Sequence, residues 1–166
     1  MKRILFRADA DHTIGTGDLL SLLYLSEYFK GWHTYWVTRK TVLAERILRR
    51  HRIRRVKFIP RNASPHEELA VINKFIQQNN IGVFCLEITK GKCGFYKNVR
   101  APVKVCVDFN GKAPSGLDFV INWDIGNKNL YTHKRSIGTR FLIGPEYVAL
   151  KQDILKQANA LRSPRR

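Results

Sequence analysis

Ile4-Leu5-Phe6-Arg7-Ala8-Asp9-Ala10-Asp11-His12-Thr13-Ile14-Gly15-Thr16-Gly17-Asp18 opens with a short apolar run, passes through a polar turn and ends on a glycine pair. The run Ile4-Leu5-Phe6 suits a buried strand of a parallel sheet, because such strands are covered on both faces. From Leu19 to Phe29 the apolar residues fall at nearly helical spacing, with 19, 22, 23 and either 25 or 26 on one stripe. This is a strand, a glycine turn and a helix in succession.

The same alternation continues along the chain. His33 to Thr38 is β-branched and aromatic, as a second strand would be. Val42, Leu43, Ile47 and Leu48 stripe a helix whose other face is Arg46, Arg49 and Arg50, and Val56 to Ile59 alternates until Pro60 stops it. Ser64-Pro65-His66-Glu67 predicts a helix start with a capping box, and this helix runs to Asn79-Asn80. Further strands are predicted at Ile81–Ile88, Val103–Phe109 and Phe119–Ile121, with turns at Pro102, Gly111, Pro114 and Gly116. Leu142-Ile143 leads into Gly144-Pro145-Glu146, and Leu150, Ile154, Ala158 and Leu161 share one face of a last helix. Strands alternating with helices predict an α/β domain, a Rossmann-like parallel sheet with helices on both faces. We expect one domain over 1–161 and a basic tail, 162–166, ending as a frayed Ser163-Pro164-Arg165-Arg166.

At 166 residues and 44% hydrophobic, the chain is long enough for one buried core. It has no apolar run of the ~20 residues that span a bilayer, and its charged N-terminus does not read as a signal peptide. Cys85, Cys93 and Cys106 have no paired spacing, so reduced thiols and a cytoplasmic location are expected, with no metal and no cofactor. The net charge of +17 is uneven: residues 39–61 hold ten bases and one acid, Glu45. Such a field attracts an anionic polymer without naming it. The alternative is a solvated helix end, and the stretch Arg49–Arg55 holds no aromatic residue for stacking on bases.

Ligands on open α/β sheets sit beyond the carboxyl ends of the strands, so the strand-to-helix turns hold the candidate site. Gly15 and Gly17 let a ligand approach the backbone, and the helix after them favours an anion. Asp18 reads either as a helix cap or as a catalytic carboxylate. Asp9 and Asp11 could form an acid–base pair or be solvated. Asp108, at a strand end, could bind a hydroxyl or cap its own turn. His12 and His33 lack metal-ligand spacing.

Together these turns resemble a known family. R-A-D-A-D-H-T-I-G-T-G-D at 7–18 is similar to the opening of the UDP-sugar hydrolases of pseudaminic acid synthesis and their spore-coat polysaccharide relatives. That family carries R-A-D-A-S, a spacer, then I-G-x-G-H-x-x-R. Asp108, Phe119-Val120-Ile121-Asn122 and Gly144-Pro145-Glu146-Tyr147-Val148-Ala149-Leu150-Lys151 match further motifs in order. The resemblance implies the N-terminal half of a GT-B fold, in which a second Rossmann-like domain supplies most nucleotide contacts. It places a nucleotide sugar against Arg7, Asp9, Gly15, Thr16, Gly17, Ser21, Glu87, Asp108, Asn122 and Tyr147, with Asp18 where the family's base stands.

The departures are specific. Asp18 replaces the His taken to act as base on water, and Ser21 replaces the Arg three residues on. Glu87-Ile88-Thr89 stands where relatives carry an Asp and a nearby Tyr. Three functions follow as expectations. One is half of a nucleotide-sugar enzyme that works with a second Rossmann-like subunit or a second copy of itself. Another is a binding module that uses 39–61 on an anionic polymer. The third is a complete hydrolase or transferase using Asp18.

Overall fold

The computed structural model describes residues 1–87, 94–124, 131 and 138–162, with backbone alone at 159–162. Seven strands form one sheet: β1 Arg3–Arg7, β2 His33–Arg39, β3 Val56–Ile59, β4 Val83–Glu87, β5 Val103–Val107, β6 Phe119–Asn122 and β7 Arg140–Ile143. Their order is β3-β2-β1-β4-β5-β6-β7, and every neighbouring pair is parallel. The helices are α1 Gly17–Ser26, α2 Val42–Arg50, α3 Pro65–Gln78 and α4 Gln152–Arg162. Short 3-10 turns lie at Gly94–Asn98 and Pro145–Tyr147. This is the Rossmann-like α/β sheet expected, with the order reversing at β1 and β4.

Successive strand side chains point to opposite faces, and both faces are covered. Ile4, Phe6, Trp36, Cys85 and Val107 pack with Leu19, Leu22 and Leu23 of α1 and Ala44 and Leu48 of α2. Leu5, Val37, Ile59, Phe84, Leu86, Cys106 and Val120 pack with Ile72 and Ile76 of α3. Cys85 and Cys106 are buried on these opposite faces. Cys93 lies outside the described residues.

Local chemistry sets the boundaries. α3 begins with the predicted capping box, Ser64 and Glu67 each accepting from the other's backbone N–H. α1 stops at Ser26, short of Phe29, where Ser26 Oγ donates to the Leu23 carbonyl at 2.7 Å and tighter three-residue bonds take over. Ile81 closes the α3 exit by donating to the Ile76 carbonyl at 3.0 Å, so β4 begins at Val83. Ile88 and 163–166 lie outside the described residues. β7 is a seventh strand that the short run Leu142-Ile143 did not announce. Among the described residues no helix is long and apolar enough to cross a membrane.

Candidate functional site

The carboxyl ends of β1 and β4 and the N-terminus of α1 meet at the point where the strand order reverses. Asp11 shapes the approach to α1. Its Oδ1 accepts from the backbone N–H groups of Thr13 at 2.7 Å and Ile14 at 2.8 Å, and these bonds hold its carboxyl below the usual range. Asp11 and Gly15 also exchange backbone hydrogen bonds. Gly15 has φ +84°, which only glycine adopts cheaply, whereas a Cβ at Gly17 would meet nothing within 4 Å. Thr16 occupies the N-cap without a side-chain cap bond. Asp18 therefore stands inside the first turn, where its charge complements the helix dipole.

One turn on, Ser21 lies on the same side of α1 as Asp18. Ser21 Oγ is 2.5 Å from Glu87 Oε2, which joins α1 to the end of β4 across 66 positions of sequence. Glu87 is 3% exposed. Burial pushes its carboxyl up to about 9; the Ser21 hydrogen bond opposes this and the Asp18 charge adds to it. Glu87 is thus a neutral carboxylic acid at pH 7, able to donate a hydrogen bond. Asp18, Ser21 and Glu87 form one cluster.

Arg7 and Asp9 belong to a different cluster beneath the cleft. Arg7, 1% exposed, donates Nη1 and Nη2 to Asp9 at 2.5 and 2.8 Å and Nε to Glu68 of α3 at 2.8 Å. Glu68 also accepts from Arg39 Nη2 at 2.7 Å and from the Tyr96 hydroxyl. Asp9 takes the Arg39 backbone N–H at 2.8 Å. Burial works against charge on Asp9, but the Arg7 charge and hydrogen bonds hold its carboxyl below the usual range. Two cations and two carboxylates balance here, so Arg7 and Asp9 are held by partners within the chain. Asp9 and Asp11 serve separate hydrogen-bond partners.

The remaining candidates are dispersed. Asp108, 7% exposed, accepts from Asn110 N at 3.0 Å and Ala113 N at 2.7 Å, so its carboxylate caps its own turn. Asn122 is fully buried, accepting from Asp124 N and donating to the Tyr131 hydroxyl at 3.2 Å. That hydroxyl donates to the Asp108 carbonyl at 2.5 Å. Tyr147 is 40% exposed and lines a hollow of about 280 Å³ with Leu25, Tyr28 and Phe29, beside the far end of α1. The structure does not bring it to Asp18.

Sequence reading missed Glu68, Arg39, Tyr96 and Tyr131. Glu68 carried a signal: it shares a helical face with Ile72 and Ile76, and a carboxylate in an apolar stripe needs a buried partner. A second hollow of about 250 Å³ adjoins the glycine turn, lined by Asp11, His12, Lys40, Thr41, Val42, Leu43 and Arg61. Among the described residues, no group of three or more His, Cys, Asp or Glu is arranged to hold a metal ion. No protein-family model matches the chain, and no curated protein does.

Proposed function

We propose that the chain is the sugar-facing half of a nucleotide-sugar enzyme of surface glycan biosynthesis, in which hydrolysis is reduced or depends on a partner. The partner would be a second Rossmann-like subunit or a second copy closing over the carboxyl end of the sheet. The observation that carries this reading is the Asp18–Ser21–Glu87 cluster. Asp18, Ser21 and Glu87, three positions where the chain departs from the hydrolases it resembles, are neighbours in space, so they change one site together. Ser21 in place of an arginine leaves Glu87 with no cation among the described residues, and its carboxyl keeps its proton. A neutral Glu87 can donate to a sugar oxygen or to the oxygen of a leaving phosphate. Asp18, in the position of the family's base, would take the proton of an attacking water. A carboxylate is a weaker base than an imidazole at neutral pH, which fits slow or lost turnover. The hollow holding His12, Lys40 and Arg61 supplies positive charge beside the glycine turn for a diphosphate.

The test is thermal shift and UDP release with UDP-sugars, on the chain alone and on whatever complex it forms in its native cell. Asp18→Asn and Glu87→Ala should each lower binding or turnover, and Glu87→Gln, which can still donate, should retain binding. No effect of any UDP-sugar on any assembly would overturn the proposal.

A further inference from the structure

In a parallel α/β sheet the carboxyl ends of the strands and the N-termini of the helices lie together, and here that end mixes Asp9, Asp11, Asp18, Glu87 and Asp108 with Arg7, Arg39, Lys40 and Arg61. The other end and the β3 flank are basic. Arg46, Arg49 and Arg50 of α2, Arg54 and Arg55 before β3, and Lys57 within it are all exposed. None of the six joins an ion pair among the described residues. β3 is an edge strand, and one or two cations would be enough to guard it against pairing with another edge. Six unpaired cations repel one another and exceed that need. Arg52 adds a second cost, since it ends α2 at φ +57°, where glycine is the favoured residue.

The fold also supplies what the basic segment lacks in sequence. β2 lies beside β3 and brings Tyr35, whose ring the Arg55 guanidinium covers at 5.5 Å. Trp32, just before the same strand, packs on the opposite face of the sheet and is not part of this surface. Tyr35 is only partly buried. Aromatic faces paired with cations are platforms on which bases stack, and stacking is indifferent to base identity.

We propose that this basic flank binds a single-stranded polynucleotide, with the α2 and β3 cations on its phosphates and the Tyr35–Arg55 pair stacking on its bases. It is separate from the Asp18–Glu87 site and can fail or hold independently of it. Fluorescence anisotropy of the whole chain with a labelled oligouridylate of about 20 nucleotides tests it. With about five phosphates neutralised, affinity should fall roughly 100-fold between about 50 and 200 mM salt. The quadruple variant Arg49→Gln, Arg50→Gln, Arg54→Gln, Arg55→Gln should flatten the log–log salt slope by about 2.8. Tyr35→Leu should weaken oligouridylate binding about tenfold with the slope kept, and Tyr35→Phe should restore it. Circular dichroism checks that each variant is folded. No binding at the lower salt overturns the proposal. So does inorganic polyphosphate of equal charge, or a phosphatidylserine vesicle, binding as tightly as the oligonucleotide. Tyr35→Leu without effect on a folded chain overturns it as well.

Discussion

Replacing Glu87 by glutamine should change how stability depends on pH, by an amount the structure fixes. In the folded chain Glu87 keeps its proton up to about pH 9, whereas in the unfolded chain it releases it near the ordinary 4.5. Between those values the unfolded state binds one proton fewer, so this group lowers stability by about 1.4 kcal/mol for each pH unit gained. Its favourable contribution is complete below the unfolded value and is lost as pH rises to the folded one. Glutamine keeps the shape and stays neutral throughout. From about pH 5.5 to 8.5 the wild type should therefore lose roughly 4 kcal/mol relative to Glu87→Gln. Domains of this kind are stable by only about 5–15 kcal/mol, so the effect is large. Urea unfolding at a series of pH values measures it, followed by the fluorescence of Trp36, which is fully buried. Taking the difference between the two proteins cancels every other titrating group. Asp18→Asn, by removing a charge that holds the Glu87 proton, should end the decline at a lower pH. A difference that stays flat across the range would mean Glu87 is ionised in the folded protein, and the account of the cluster would be wrong.

Two other substitutions test the framework beneath the site. Glu68→Gln leaves Arg7 and Arg39 short of a carboxylate and should cost about 3–5 kcal/mol in urea unfolding. Tyr96→Phe, which removes one hydrogen bond from the same cluster, should cost only about 1 kcal/mol. Arg52→Gly relieves the left-handed backbone at the end of α2 and should stabilise by about 1 kcal/mol, raising Tm by roughly 2–4 °C in a scanning experiment.

What was legible in the sequence was what neighbouring residues determine. The start of α3 follows from Ser64, Pro65 and Glu67, each within one turn of the others. The alternation of short apolar runs with helical stripes gave the parallel sheet, because strands buried on both faces need continuous apolar residues. Ile81 looked like strand for the same reason, yet its N–H is used to close the α3 exit. β7 escaped notice because an edge strand of four residues, beginning with exposed Arg140, has no bounded apolar run. The site was harder to read. The Ser21–Glu87 contact spans 66 positions and the Arg7–Glu68 contact spans 61, so no local pattern distinguishes an arginine facing a ligand from one facing a buried carboxylate. The basic segment was visible as charge, but its aromatic companion, Tyr35, comes from β2.

The buried cluster of Arg7, Asp9, Arg39, Glu68 and Tyr96 has a consequence for how the chain finds its fold. Sliding β1 by one residue against β2 and β4 would turn Arg7 to the opposite face of the sheet. There it would lose Glu68 and lie against Leu19, Leu22 and Leu48, away from the cluster that holds it. Breaking the buried Arg7–Glu68 pair costs several kcal/mol, whereas an apolar residue at the end of β1 would tolerate either alignment with little difference. The cluster thus selects one alignment of the central strand. Because Glu68 arrives on α3, that selection is completed only when the helix docks, which ties the choice of strand alignment to the seating of the layer above it.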